Sequence, residues 1–136
     1  MISYNAQPLA RLCGFGLLIV CCAGCRGKQG FEQYVPPEDK ARQALETALT
    51  AWQNGKPVGR IESDATLIQV VDSRWQAGQK LERFQVLREE SAEGPKVFSV
   101  RLTMRQPAGE QVVRYYVVGK SPLWVYREDD YKKLGM

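Results

Sequence analysis

From Phe98 to Arg105 the chain changes character at every residue, with Phe98, Val100, Leu102 and Met104 set between Val97, Ser99, Arg101, Thr103 and Arg105. A period of two is the period of a β-strand, so this segment has one buried and one wetted face. A strand of that kind fits an antiparallel sheet, because parallel sheets are covered on both sides and read as continuous apolar runs. Further strands are expected at Leu81–Arg88, Gln111–Val118 and Leu123–Arg127. The turn clusters Glu93-Gly94-Pro95, Pro107-Ala108-Gly109 and Gly119-Lys120-Ser121-Pro122 separate them into a meander.

The connection near Pro107 decides which side chains are buried. If Gln106-Pro107-Ala108-Gly109 is a type I turn with Gly109 left-handed, Gln106 pairs with Glu110 and Arg114 falls opposite Leu102. A four-residue loop pairs Gln106 with Gln111 and sets Val113, Tyr115 and Val117 beside the apolar face, since a one-residue slip exchanges the faces. An unpaired buried guanidinium costs several kcal/mol. The second register is therefore expected, and it gathers Arg101, Arg105, Arg114 and Tyr116 on the outer face.

Ahead of the strands, Leu45, Ala48, Leu49 and Trp52 repeat at helical spacing. Pro37 suits the first turn of a helix from about Pro37 to Asn54, and Glu38 and Asp39 put negative charge at the positive end of its dipole. Asn54-Gly55 supplies a left-handed cap, with Pro57 just beyond. Between Asp64 and Gly78 two readings compete, since Leu67, Ile68, Val71 and Trp75 would also line a helix face. A short strand at Leu67–Val71 is preferred, followed by one helical turn capped by Asp72 or Ser73. Leu49, Trp52, Trp75, Phe84, Phe98 and Trp124 are expected to fill the space between helix and sheet. The fold class is α+β: one N-terminal helix on a curved antiparallel meander of four to five strands.

All four cysteines lie between Cys13 and Cys25, inside or at the end of an apolar run from Leu12. About a dozen apolar residues are too few for a helix that spans a membrane, which needs roughly 20. With Arg11 before the run and small residues after it, the segment has the parts of an export signal. Cys22-Ala23-Gly24-Cys25 formally spells C-x-x-C, but an apolar signal is not the folded context that a redox or zinc pair requires. The sequence has no histidine, which removes the commonest general base and metal ligand. No cofactor is expected. The triplet Glu128-Asp129-Asp130 diverges, whereas a calcium site needs converging oxygens from spaced positions, so no metal is expected there.

Ala23-Gly24-Cys25 resembles the lipobox of bacterial lipoproteins, although Cys22 stands where that family prefers leucine. The resemblance implies cleavage before Cys25, acylation of its thiol, and an extracytoplasmic domain held at the cell envelope. The expected division is a signal over 1–24, a lipidated cysteine and tether over 25–37, and one domain over 38–136. The element order resembles the cystatin and NTF2-like superfolds, in which a sheet wraps a helix. Trp75-Gln76-Ala77-Gly78, the stretch Val113–Gly119 and the stretch Pro122–Arg127 are similar to a group of uncharacterised bacterial lipoproteins, a resemblance that brings no activity with it.

The formal net charge of +4 is too small for a nucleic-acid footprint, so no nucleic acid is expected as a partner. The expected partners are membrane lipid, through acylated Cys25, and an envelope protein or acidic polymer. The surface for the latter is the set Arg101, Arg105, Arg114 and Tyr116, whose guanidiniums suit carboxylates or phosphates. No catalytic residue is assigned. The expected function is a non-catalytic binding or scaffolding module. The alternative is an NTF2-like ligand-binding protein or enzyme with a pocket in the curled sheet, for which Asp72, Tyr115 and Tyr126 supply the acid and phenol chemistry.

Overall fold

Helix α1 (Glu38–Gln53) buries Ala41, Ala44, Leu45, Ala48, Leu49, Ala51 and Trp52. Four of these are alanines, which let the helix axis come close to the sheet, while Leu45, Leu49 and Trp52 supply the large contacts. The helix stops as its sequence dictates: Gly55 takes φ 84° and its N–H donates to Trp52 O, while Lys56 N–H donates to Ala51 O. That pair of bonds is the Schellman arrangement, open to glycine because it has no Cβ to clash. The structure, a computed structural model, describes residues 35–63, 66–91 and 94–135. The segments expected to be an export signal and a tether, with Cys25, lie outside the described residues as far as residue 34.

Six strands form one sheet in the order β1-β2-β6-β5-β4-β3. They are β1 (Arg60–Ser63), β2 (Thr66–Val71), β3 (Lys80–Glu89), β4 (Lys96–Gln106), β5 (Ala108–Gly119) and β6 (Leu123–Arg127), with one-turn helices α2 (Ser73–Gln76) and α3 (Glu128–Lys132). From β3 to β6 the chain is the expected antiparallel meander. Two expectations need correction. The sheet has six strands rather than four to five, and it is mixed, because β2 lies parallel to β6 with Ile68 opposite Leu123 and Val71 opposite Tyr126. The chain crosses from β2 through α2 to the far edge at β3, and the meander then returns β6 to the side of β2. Helix α1 precedes all the strands in chain order and lies against this curled sheet. A helix on a curled sheet is compatible with a cystatin/NTF2-like domain.

The Pro107 connection is tighter than either expected form. Arg105 pairs with Ala108 and Leu102 with Gln111, leaving only Gln106 and Pro107 between the paired positions. The offset differs from the expected one by an even number of residues, so the faces are as expected. Phe98, Val100 and Leu102 are fully buried beside Tyr115 and Val117, and Arg114 points outward opposite Ser99. The β5–β6 turn is also fixed by its residues: at Gly119 (φ 87°) a Cβ would sit 2.8 Å from Pro122 O.

The inner face is filled. Leu45, Leu49 and Trp52 of α1 pack with Ile68, Leu81, Phe98, Val100, Leu102, Tyr115, Val117 and Val125. Trp52 stacks on Trp75 at 5.3 Å, and their indole N–H groups donate to Gln79 O at 2.8 Å and Lys56 O at 2.9 Å. Phe84 is partly buried against this core. Trp124 is not in it. Leu123 and Val125 take the inner positions of β6, which sends Trp124 to the outer face, where it stacks on Tyr126.

Candidate functional site

The outer face carries the predicted cluster in two parts. Arg114 holds Glu128 at 3.0 Å and Glu90 at 3.7 Å, and Tyr116 donates its hydroxyl to the same Glu128 at 3.2 Å. Arg88 and Lys132 complete the group through Glu90 and Glu128. Glu128 raises the Arg114 pKa above its ordinary value, and burial, then the bond to Glu128, raises that of Tyr116. Arg101 instead bonds Gln85 Oε1 at 3.1 Å. Arg105 sits at the hairpin end opposite Ala108, six residues or roughly 20 Å along β5 from Arg114. Arg114 and Tyr116 thus act together, while Arg101 and Arg105 form a separate, outlying pair.

The acidic triplet opens α3, which folds back over the outer face. Tyr131 stacks on Tyr116 at 4.3 Å and meets Tyr126 edge-on at 5.6 Å. Asp130 reaches the start of α2, accepting Ser73 N–H at 2.9 Å. The three carboxylates are therefore spread over separate tasks: Glu128 on Arg114, Asp130 on α2, and Asp129 in solvent.

On the inner face, Asp72 and Tyr115 do meet, with the hydroxyl donating to Asp72 Oδ2 at 2.6 Å. Tyr126 faces the opposite way. Sequence reasoning missed Arg127, which is 4% exposed and donates to Asp72 Oδ1 at 3.5 Å and to Gln111 Oε1 at 3.2 Å. Its signal was present in the alternation of β6, where position 127 shares a face with Leu123 and Val125. Asp72 also caps α2 by accepting Arg74 N–H at 2.9 Å and Trp75 N–H at 3.2 Å. Burial, and then the Asp72 charge, push the Tyr115 pKa well above its ordinary 10.0. With Asp72 1% exposed and both its oxygens engaged, this group ties α2, β5 and β6 together.

Between the two clusters, a cleft of about 460 Å³ runs along β5 where β6 has ended. Gln111 and Arg127 lie on its inner side, Ser99, Glu90 and Arg114 on its outer side, and Arg74 of α2 at its end. Its polar lining suits recognition by hydrogen bonds and charge. Among the described residues no helix is long and apolar enough to cross a membrane. No protein-family model matches the chain, and no curated protein matches it to significance.

Proposed function

We propose that this protein is a lipid-tethered, non-catalytic binding module of the cell envelope. In this reading Cys25 is acylated, the following polar segment lets the domain stand off the membrane, and the domain binds through the surface of its sheet. The supporting observation is the filled inner face. A curled sheet that worked as a ligand cup would leave room against α1, whereas Leu45, Leu49, Phe98, Leu102 and Tyr115 are buried there at 1% exposure or less. The chemistry that remains open is the outer face and the β5 cleft, which can grip a partner without transforming it. Acylation adds about 0.8 kcal/mol per buried methylene, so two or more chains on Cys25 anchor the domain firmly.

Two measurements test this reading. Cells expressing the full chain are fed a clickable palmitate analogue; label on the wild type and its loss in Cys25→Ser, with movement of the protein from the membrane to the soluble fraction, is the expected result. Label that persists without Cys25 refutes the anchor. For binding, a cross-linked pull-down of the Arg101→Ala, Arg114→Ala double variant is expected to lose its partner while the domain stays folded by circular dichroism. Undiminished capture removes the arginine face from the binding surface.

A further inference from the structure

We propose that the unpaired edge of β5, from Glu110 to Arg114, is a docking site at which an extended acidic segment of a partner protein adds to the sheet as a strand in line with β6. The inference rests on the reading of the protein as a binding module and specifies its contact. Strand β6 leaves β5 at the pair Tyr115–Arg127, because the chain turns into α3 at Glu128. Strand β5 continues to Ala108 with β4 on one side only.

The peptide groups at this edge face outward. Glu90 N–H donates to Val97 O at 2.7 Å, so the Val97 peptide turns toward β3. Alternation then turns Phe98, Val100 and Leu102 toward β5, where they engage Tyr115, Val113 and Gln111. The peptide groups of Glu110 and Val112 are left on the open side, and that of Arg114 lies where β6 ends. Val112 is also the most exposed large apolar side chain among the described residues, at 59%.

The sheet's other edges are blunted in ways that this one is not. Strand β1 has four residues, and β3 is broken by three register shifts and carries Lys80, Glu82, Arg83 and Arg88 on its surface. Short, irregular, charged edges resist strand addition. The β5 edge is regular, has an apolar residue at its centre, and opens on the cleft. A strand laid there gains main-chain hydrogen bonds and places alternate side chains on the two sides of the cleft.

Charge selects the partner. Among the described residues Arg74, which lines the cleft, and Arg101 and Arg105, which stand on β4 opposite Val112 and Ala108, form no ion pair; the unpaired acids beside them are Glu110 and Asp129, so the free charge around this edge is positive by one. A second copy of the chain fits less well. Pairing Glu110 with the copy's Arg114 would carry the Gln106–Pro107 turn into the place of the copy's β6. Sliding the strands until the turn clears β6 sets Glu110 against its own counterpart, and like charges directly opposite are destabilising.

The test uses the full chain in detergent micelles and fluorescent peptides of roughly ten residues, long enough to cover the edge. One peptide alternates glutamate with valine, and a second replaces glutamate with lysine. The acidic peptide is expected to bind saturably and at least about tenfold more tightly than the basic one, and Arg101→Glu, Arg105→Glu should reverse that preference. Val112→Pro removes the outward N–H together with the exposed valine side chain and should weaken binding about tenfold without lowering the melting temperature. If that variant misfolds, methylating the acidic peptide's own backbone nitrogens abolishes binding without touching the protein. Equal binding of the two peptides, or of the methylated one, overturns the proposal. So does a dimer of the peptide-free chain that Val112→Pro disperses, because the edge then serves a second copy. Partner capture that survives Val112→Pro but is lost with Arg101 and Arg114 keeps the module reading and discards the edge.

Discussion

Tyr115 and Tyr116 are neighbours on β5, and each meets a carboxylate and an arginine on its own side of the sheet. Inside, Tyr115 joins Asp72 and Arg127; outside, Tyr116 joins Glu128 and Arg114. The two arginine–acid pairs use adjacent residues of one strand end, Arg127 and Glu128, sent to opposite faces by the pleat. Side-chain exposure is 5% for Arg127 and 0% for Asp72, against 47% for Arg114 and 18% for Glu128. The same three kinds of group thus perform different work. Inside, where burial shields them from solvent, they hold three elements in one relative position; outside, where solvent screens them, they leave a surface that a partner can rearrange.

The largest expected break in this comparison is Asp72→Ala. It removes the cap of α2, strips Tyr115 of its acceptor and leaves the Arg127 guanidinium buried opposite Gln111 alone, at a cost of about 3–5 kcal/mol in denaturant unfolding. Because much of that loss is the orphaned charge, adding Arg127→Met should recover part of it. A double variant no more stable than the single would show that the cap, not the ion pair, carries the site.

Removing one hydroxyl at a time sharpens the contrast. Tyr115→Phe deletes a bond to a buried carboxylate and should cost about 1.5–3 kcal/mol, whereas Tyr116→Phe should cost under about 1 kcal/mol. Their alkaline titrations should differ as well. Burial raises both phenols above 10.0, Tyr115 much further. The folded state therefore favours the neutral phenol; its contribution is complete below about pH 10, where the unfolded chain begins to ionise, and is lost as pH rises above that. Tyr116 should ionise within the folded protein and Tyr115 only as it unfolds. Phenolate absorbance from Tyr115 while the circular dichroism is still native would contradict the buried site.

Much of this architecture can be read from local pattern. Helix α1, its glycine stop, the alternation of β4 and the cap of α2 each depend on residues a few positions apart; each is found near where the pattern puts it, with Asp72 rather than Ser73 as the cap and with Ser99 buried on the face expected to be wet. What escaped depends on distant pairing. Strand β1 has only Arg60–Ser63 to announce it, and the parallel match of β2 to β6 joins residues 55 apart, with no local signature. The size of Trp124 argues for the inside, although alternation with Leu123 and Val125 puts it outside. Arg127 was overlooked for the converse reason: charge argues for solvent, but its position on β6 aims it at Asp72. The candidate surface was readable as a shared face, because parity survives an even error in register. That Arg114 is claimed by Glu128 while Arg101 and Arg105 are not depends on how α3 folds back, which no sequence spacing reveals.

The smallest expected effect belongs to the outer pair, and it is informative for that reason. Arg114→Gln loses contacts to Glu128 and Glu90, yet the guanidinium is about half exposed and both acids have second cations in Lys132 and Arg88. Thermal unfolding should change little, and the remaining difference should shrink at high salt, where surface charges are screened. Glu128→Gln should be more disruptive than Arg114→Gln, because Glu128 gathers Arg114, Lys132 and the Tyr116 hydroxyl at the start of α3. If Arg114→Gln instead destabilised the protein as much as Asp72→Ala, the outer cluster would be a second structural tie, and the face it occupies would be closed to a partner. A variant that leaves stability intact keeps the outer face free to serve recognition.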